Sequence, residues 1–88
     1  MTVSSSHEQY LHLVRLAWGL RQLEVGVRIE LPAFQEPYVA VRRESGPLRV
    51  LALLRGRKWI FAWGRGRHQW IAAFDEDAVR RIHEMVAR

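Results

Sequence analysis

The sequence predicts an α+β fold in which an antiparallel meander of four or five strands packs against an N-terminal and a C-terminal helix. Apolar residues recur with helical spacing near both ends of the chain, and they alternate with polar residues over several short runs between those ends. The connections between these runs are too short for the crossovers that parallel strands require. The predicted order of elements is therefore α-β-β-β-β-(β)-α.

The composition is typical of one small folded domain. The 88 residues suffice for a single core, and 49% of them are hydrophobic while 26% are charged. We expect a disordered tail over residues 1–6 and one domain over residues 7–88. The absence of cysteine excludes disulfides and thiolate zinc sites. Because neither a secretory signal nor a membrane-spanning run is recognisable, we expect a cytoplasmic protein that does not bind membranes.

The first predicted helix covers residues 7–23 and is apolar around most of its circumference. Either Ser5 with Glu8 or Ser6 with Gln9 has the spacing of a capping box at its start. Polar residues recur only every three or four positions, so a single sheet cannot cover the whole apolar surface. Gly19 costs about 1 kcal/mol of helix propensity relative to alanine, which indicates either a bend or the close approach of another backbone. We expect this helix to have a second contact surface.

The strands are predicted from runs that alternate with a period of two. They cover residues 25–31, 38–43, 48–55 and 58–63, with a short fifth strand over residues 68–72. Glycine and proline at positions 46 and 47, and glycine at position 56, favour turns between them. The third run is apolar on both faces at its middle.

The second predicted helix covers residues 76–87 and follows Asp75, a favourable N-cap residue. Acidic residues at its start complement the positive end of the helix. Its apolar residues form a one-sided stripe, so we expect this helix to cover the sheet.

Positive charge is concentrated in one segment of the chain. Residues 42–67 contain seven Arg and one Lys against one Glu, whereas residues 1–41 and 68–88 each have a net charge of −1. Arg outnumbers Lys thirteen to one, as in proteins from bacterial genomes of high GC content. The charge is therefore either a consequence of composition or a functional surface.

If the basic segment is functional, its chemistry suits nucleic acid or another polyanion. Arginine guanidinium groups bind phosphate oxygens, glycines allow a backbone to approach an anion, and tryptophans stack on bases. In a meander, the loops at 44–47 and 64–67 lie at one end of the sheet and the turn at 55–57 lies at the other. The candidate binding residues are Arg42, Arg43, Arg49, Arg65, Arg67, Trp63 and Trp70. The candidates at the opposite end are Arg55, Arg57 and Lys58.

Two of these features also have structural explanations. Glycines at 64 and 66 are suited to an ordinary hairpin, and Trp63 alternates with Trp59 and Phe61 in a pattern that fits a core stripe.

Catalysis and metal binding find little support in the sequence. The serines lie in the tail or in a turn, and the histidines lack the spacing of metal ligands. The start of a helix explains Asp75 and Asp77. We expect no catalytic site, no metal site and no cofactor.

Two functions remain open from the sequence. The first is a non-catalytic binding or regulatory module that acts as a homodimer, with or without another protein partner, through its apolar first helix and its sheet. The residues expected at that interface are Leu16, Trp18, Leu20, Leu51 and Leu53. The alternative is nucleic-acid or polyanion binding through residues 42–67.

Overall fold

The computed structural model describes the backbone of residues 2–87 and the side chains of residues 7–87. Its elements are α1 Thr2–Gln22, β1 Val27–Glu30, β2 Tyr38–Val41, β3 Leu48–Arg55, β4 Lys58–Ala62, β5 Trp70–Ala72 and α2 Ala78–Val86. The strands form one antiparallel sheet in the order β1-β2-β3-β4-β5. The predicted α+β meander between two terminal helices is confirmed, and it includes the fifth strand.

The first helix begins at Thr2, earlier than the predicted start at residue 7. Serine lowers helix propensity only moderately, so a serine cluster does not by itself end a helix that continues through it. Glu8 is consequently inside the helix, and its carboxylate accepts a hydrogen bond from the Trp59 indole at 2.8 Å instead of completing a capping box. The division into a tail over residues 1–6 and a domain over residues 7–88 stays a prediction.

The end of α1 is a Schellman motif. The Glu24 N–H donates to the Arg21 carbonyl at 2.9 Å, and the Val25 N–H donates to the Leu20 carbonyl at 3.0 Å. Glu24 has a φ of 63°. This sharp turn sends the chain directly into β1.

The central strand β3 pairs with different neighbours along its length. Its first half lies beside β2, with Val50 opposite Val39, and its second half lies beside β4, with Ala52 opposite Phe61. A two-residue turn follows, because Arg55 is paired directly with Lys58.

The core lies between the helices and one face of the sheet. Its fully buried large side chains are Leu13, Leu16, Leu20, Val39, Val41, Val50 and Ile82. Leu16 and Leu20 were predicted at an oligomer interface, but the stripe of α1 that contains them packs directly on the sheet. They are therefore not available to a partner.

The helix α2 lies beside α1, and Gly19 allows their close approach. A Cβ atom built on Gly19 would lie 2.7 Å from one Val79 methyl carbon and 3.1 Å from the other. Besides its contact with the sheet, α1 therefore has the predicted second contact surface, and α2 covers part of it. A side chain of α2, rather than a backbone, occupies the space above the glycine.

The start of α2 is displaced from the predicted position. The Asp75 carboxylate accepts the Asp77 N–H at 2.8 Å, and the helix begins only at Ala78. Asp75 therefore stabilises a turn that leads into the helix. Within residues 2–87, neither α1 nor α2 is long and apolar enough to cross a membrane.

Candidate functional site

The helices leave one face of the sheet uncovered, which we call the open face. Side chains alternate between the two faces along each strand, so the residues between core positions point away from the helices. The basic side chains on the open face are Arg28, Arg42, Arg49, Arg55 and Lys58, and the aromatic ones are Tyr38 and Trp70. The topology thus collects basic and aromatic residues from all five strands.

The open face has an apolar floor made by its central strands. Ile60 and Ala62 are only 4% and 8% exposed, although neither belongs to the core cluster beneath the helices. Leu53 is paired with Ile60 and Leu51 with Ala62, and both leucines are half-buried. Leu51 and Leu53, which were predicted at an interface, therefore lie together on the open face.

Two arginines of β3 lie over aromatic rings at opposite sides of this floor. The Arg49 guanidinium carbon is 5.0 Å from the centroid of the Tyr38 ring, and that of Arg55 is 5.3 Å from the Trp70 ring. Cation–π attraction of this kind holds a guanidinium in place while its N–H groups remain free to bind an acceptor. Trp70 itself is 39% exposed. A ligand can therefore reach the guanidinium groups and the uncovered part of the Trp70 ring.

The positive charge of the basic segment is not neutralised by neighbouring acids in the described part of the chain. The ion pairs found among residues 7–87 join Arg28 to Glu30 at 3.3 Å and Arg80 to Asp77 at 2.7 Å. Neither pair involves an arginine of residues 42–67. Glu30 is the acidic side chain that the strands place on the open face, so this face is electropositive.

The glycine-spaced loop between β4 and β5 is filled by its own chain. The Gly66 N–H donates to the Gln69 side-chain oxygen at 2.9 Å. A Cβ atom on Gly64 would clash with the same oxygen. The glycines therefore make room for Gln69, and the Gly66 N–H is not free to bind an anion. Arg65 and Arg67 are exposed on it.

The two tryptophans that flank this loop differ in environment. Trp63 is half-buried against the core and lines a cavity of about 270 Å³ beside α2, together with Arg81 and Met85. Trp70 lies on the open face. Of the two predicted stacking residues, the structure places only Trp70 where a base could reach it.

The other predicted basic residues lie at the ends of the strands. Arg43 lies in the β2–β3 connection, which the meander places at the same end of the sheet as the β4–β5 loop. Arg57 occupies the two-residue turn at the opposite end and is exposed.

Sequence reasoning missed Arg28 and Tyr38 as candidates. Both occupy alternate positions in runs that were correctly predicted to be strands, so the signal was available. Identifying these two residues requires comparing the faces of different strands, because the turns group only the basic residues near the strand ends.

The buried His12 is a packing residue. Its ring lies 5.2 Å from the Trp59 ring and 5.1 Å from the Phe74 ring. Burial lowers the pKa of His12 from its ordinary value of 6.5, Arg15 acts in the same direction, and Glu8 opposes them. No group of three or more His, Asp or Glu side chains within the described residues is arranged to hold a metal ion.

Comparisons of the chain with models of known protein families, with curated proteins and with solved structures find no match.

Proposed function

We propose that this protein is a non-catalytic module that binds single-stranded nucleic acid on the open face. The observation that supports the proposal is the pairing of Arg49 with Tyr38 and of Arg55 with Trp70 on a face where the basic side chains of the described strands outnumber the acidic ones. Proteins that bind single strands combine a basic surface that contacts the phosphates with aromatic rings on which bases stack.

The shape of the open face favours a single strand over a duplex. Bases in a duplex are stacked on one another, so their faces cannot reach aromatic side chains on a sheet. An unpaired strand has accessible base faces, and the half-buried Leu51 and Leu53 on the apolar floor give its bases a surface to pack on. Tyr38 and Trp70 are on β2 and β5, three strand spacings or roughly 14 Å apart. A single strand of nucleic acid can therefore contact both arginine–aromatic pairs, Arg49 with Tyr38 and Arg55 with Trp70.

The proposal can be tested by fluorescence anisotropy with a labelled single-stranded oligonucleotide and a duplex of the same length. Binding of the single strand should weaken with salt, with a log–log slope near −0.7 for each phosphate contact. The double variant Arg49→Ala, Arg55→Ala should bind about 10- to 100-fold more weakly and lower the magnitude of the slope by about one unit or more.

A matched control removes the same charge from another surface. Arg15 and Arg21 are exposed on α1, so Arg15→Ala, Arg21→Ala lowers the net charge equally without touching the sheet. This control should retain nearly the wild-type affinity and salt slope. Equal losses in the two double variants would show that only net charge matters, and the open face would then not be the site.

Self-association through the outer side of α1 is the second candidate function, as a homodimeric regulatory module. Trp18 is 65% exposed, and it shares a helical stripe with exposed Leu11 and half-buried Val14. A two-fold axis could bring two such stripes together. Pairing through the open face is disfavoured, because it would bring the like charges of the two copies into contact.

A further inference from the structure

A cavity of about 350 Å³ opens at the corner of the sheet where β1 and β2 meet. Three arginines, Arg28, Arg42 and Arg43, line it, and small residues including Gly26, Ala40 and Pro47 form the rest of its wall. We call this cavity the arginine pocket.

The pairing of β1 with β2 explains why the three arginines lie at one corner of the sheet. Arg28 is paired with Ala40, whose small side chain leaves space between the arginines. The Arg42 N–H donates to the Gly26 carbonyl at 2.8 Å and continues the ladder beyond the strands. A Cβ atom on Gly26 would touch the Arg42 side chain at 3.4 Å, so glycine keeps this side of the pocket open.

One of the three guanidinium groups is positioned before any ligand binds. The Arg43 Nε donates to the Gly46 carbonyl at 3.0 Å, which leaves its terminal N–H groups free. Arg28 pairs with Glu30, but both side chains are exposed, so this ion pair is weak. The described lining of the pocket contains three arginines and no acidic side chain, so the net charge of the pocket is positive.

We infer that the arginine pocket binds a phosphomonoester group. A guanidinium contacts two phosphate oxygens at once, and a terminal phosphate offers three unesterified oxygens and up to two negative charges to the three arginines. An internal phosphodiester has only two such oxygens and one charge. The volume is at the lower end of the range for small-ligand sites, roughly 300–1,000 Å³, and suits a mononucleotide.

The position of the pocket connects it to the open face. Ala40 in its wall is paired directly with Arg49, the arginine that lies over Tyr38. The phosphomonoester can therefore belong to a free mononucleotide or to the terminal phosphate of a strand on the open face. Only the second source rests on the proposed function.

The test compares oligonucleotides of one sequence that carry a 5′-phosphate, a 3′-phosphate or hydroxyls at both ends, and compares adenosine 5′-monophosphate with adenosine. One of the two phosphorylated oligonucleotides should bind about 10- to 100-fold more tightly than the oligonucleotide with hydroxyls at both ends. Adenosine 5′-monophosphate should raise the Tm of the protein, whereas adenosine should not. Arg28→Ala with Arg42→Ala should abolish both differences. Arg42→Lys, which keeps the charge but not the two-pronged contact, should reduce them.

The controls separate the pocket from the open face. Arg49→Ala with Arg55→Ala should lower the affinity for all three oligonucleotides by the same factor and leave the preference for a terminal phosphate unchanged. Because the pocket arginines are on the surface, circular dichroism should show that their variants fold.

The possible outcomes distinguish the two proposals. If all three oligonucleotides bind equally and the monophosphate does not change the Tm, the pocket inference is wrong while the proposed function stands. If no oligonucleotide binds but the monophosphate stabilises the wild type and not the pocket variant, the pocket inference holds and the proposed function fails. A preference for phosphate that survives in the pocket variants would also overturn the inference.

Discussion

At the scale of single residues, Gly19 sets the distance between the two helices. A methyl group there would meet both methyls of Val79, whose β-branched side chain has little rotamer freedom. We expect Gly19→Ala to lower the free energy of unfolding by about 1–3 kcal/mol, even though alanine has the higher helix propensity by about 1 kcal/mol. Urea unfolding followed by circular dichroism measures this effect.

A second substitution, Val79→Ala, tests whether the clash with Val79 causes the loss of stability. In a Val79→Ala background the clash is absent, so Gly19→Ala should be neutral or stabilising there. The same destabilisation in both backgrounds would show that the helix contact is not its cause.

His12 should make the stability of the fold depend on pH. Its pKa is lower in the folded protein than in the unfolded chain, so below pH 6.5 the unfolded chain takes up a proton more readily than the native state. Stability should be greatest above this pH and should fall as the pH decreases toward the folded pKa of His12. Unfolding measurements at about pH 7.5 and about pH 5.5 will show the loss.

Replacement of the histidine provides the control. His12→Phe keeps an aromatic ring beside Trp59 and Phe74 but cannot titrate, so its stability should vary less between the two pH values. An unchanged pH dependence in His12→Phe would contradict the prediction.

At the scale of elements, the β4–β5 loop depends on the Gln69 side chain. Gly64→Ala would displace the Gln69 amide and remove its hydrogen bond to the Gly66 N–H, at a cost of about 0.5–1.5 kcal/mol. Gln69→Ala removes the same hydrogen bond, so the double variant should lose little more stability than either single variant. Thermal unfolding tests this, and fully additive losses would contradict it. Oligonucleotide affinity should not change, because the glycines serve the loop itself.

The outer side of α1 should determine whether the protein self-associates. If two copies pair through this stripe, sedimentation at micromolar concentration should give twice the monomer mass, and Trp18→Lys should give the monomer. Leu31→Lys is the matched control, since Leu31 is also 65% exposed but lies outside α1. A wild-type monomer at high concentration would eliminate this candidate function. Leu16 and Leu20 cannot serve in the test, because changing either would disrupt the core.

At the scale of the whole molecule, the fold could be predicted from the sequence because its strands alternate clearly. Val39 and Val41, for example, mark the buried face of β2, and the short connections leave a meander as the simple topology. The start of α1 could not be placed, because serines favour a cap but also tolerate the helix interior.

The candidate site was only partly predictable. Arg49 and Arg55 were identified as candidates, but their positions over Tyr38 and Trp70 depend on how neighbouring strands align. Leu16 and Leu20 were misplaced for a different reason. A helix that is apolar on most sides does not indicate which side faces its own sheet, and that choice depends on where the distant α2 packs.

Nucleic-acid binding on the open face can be tested in one measurement, because the four tryptophans lie on different parts of the molecule. Trp18 is on the outer side of α1, and the Trp59 indole donates a hydrogen bond to Glu8. Trp63 packs on the core, and Trp70 lies under Arg55. Each indole N–H gives its own signal in a two-dimensional ¹⁵N NMR spectrum. On titration with a single-stranded oligonucleotide, the Trp70 signal should shift progressively while those of Trp18 and Trp59 stay in place. A shift of Trp18 without Trp70, or saturating binding that leaves Trp70 unmoved, would contradict the account.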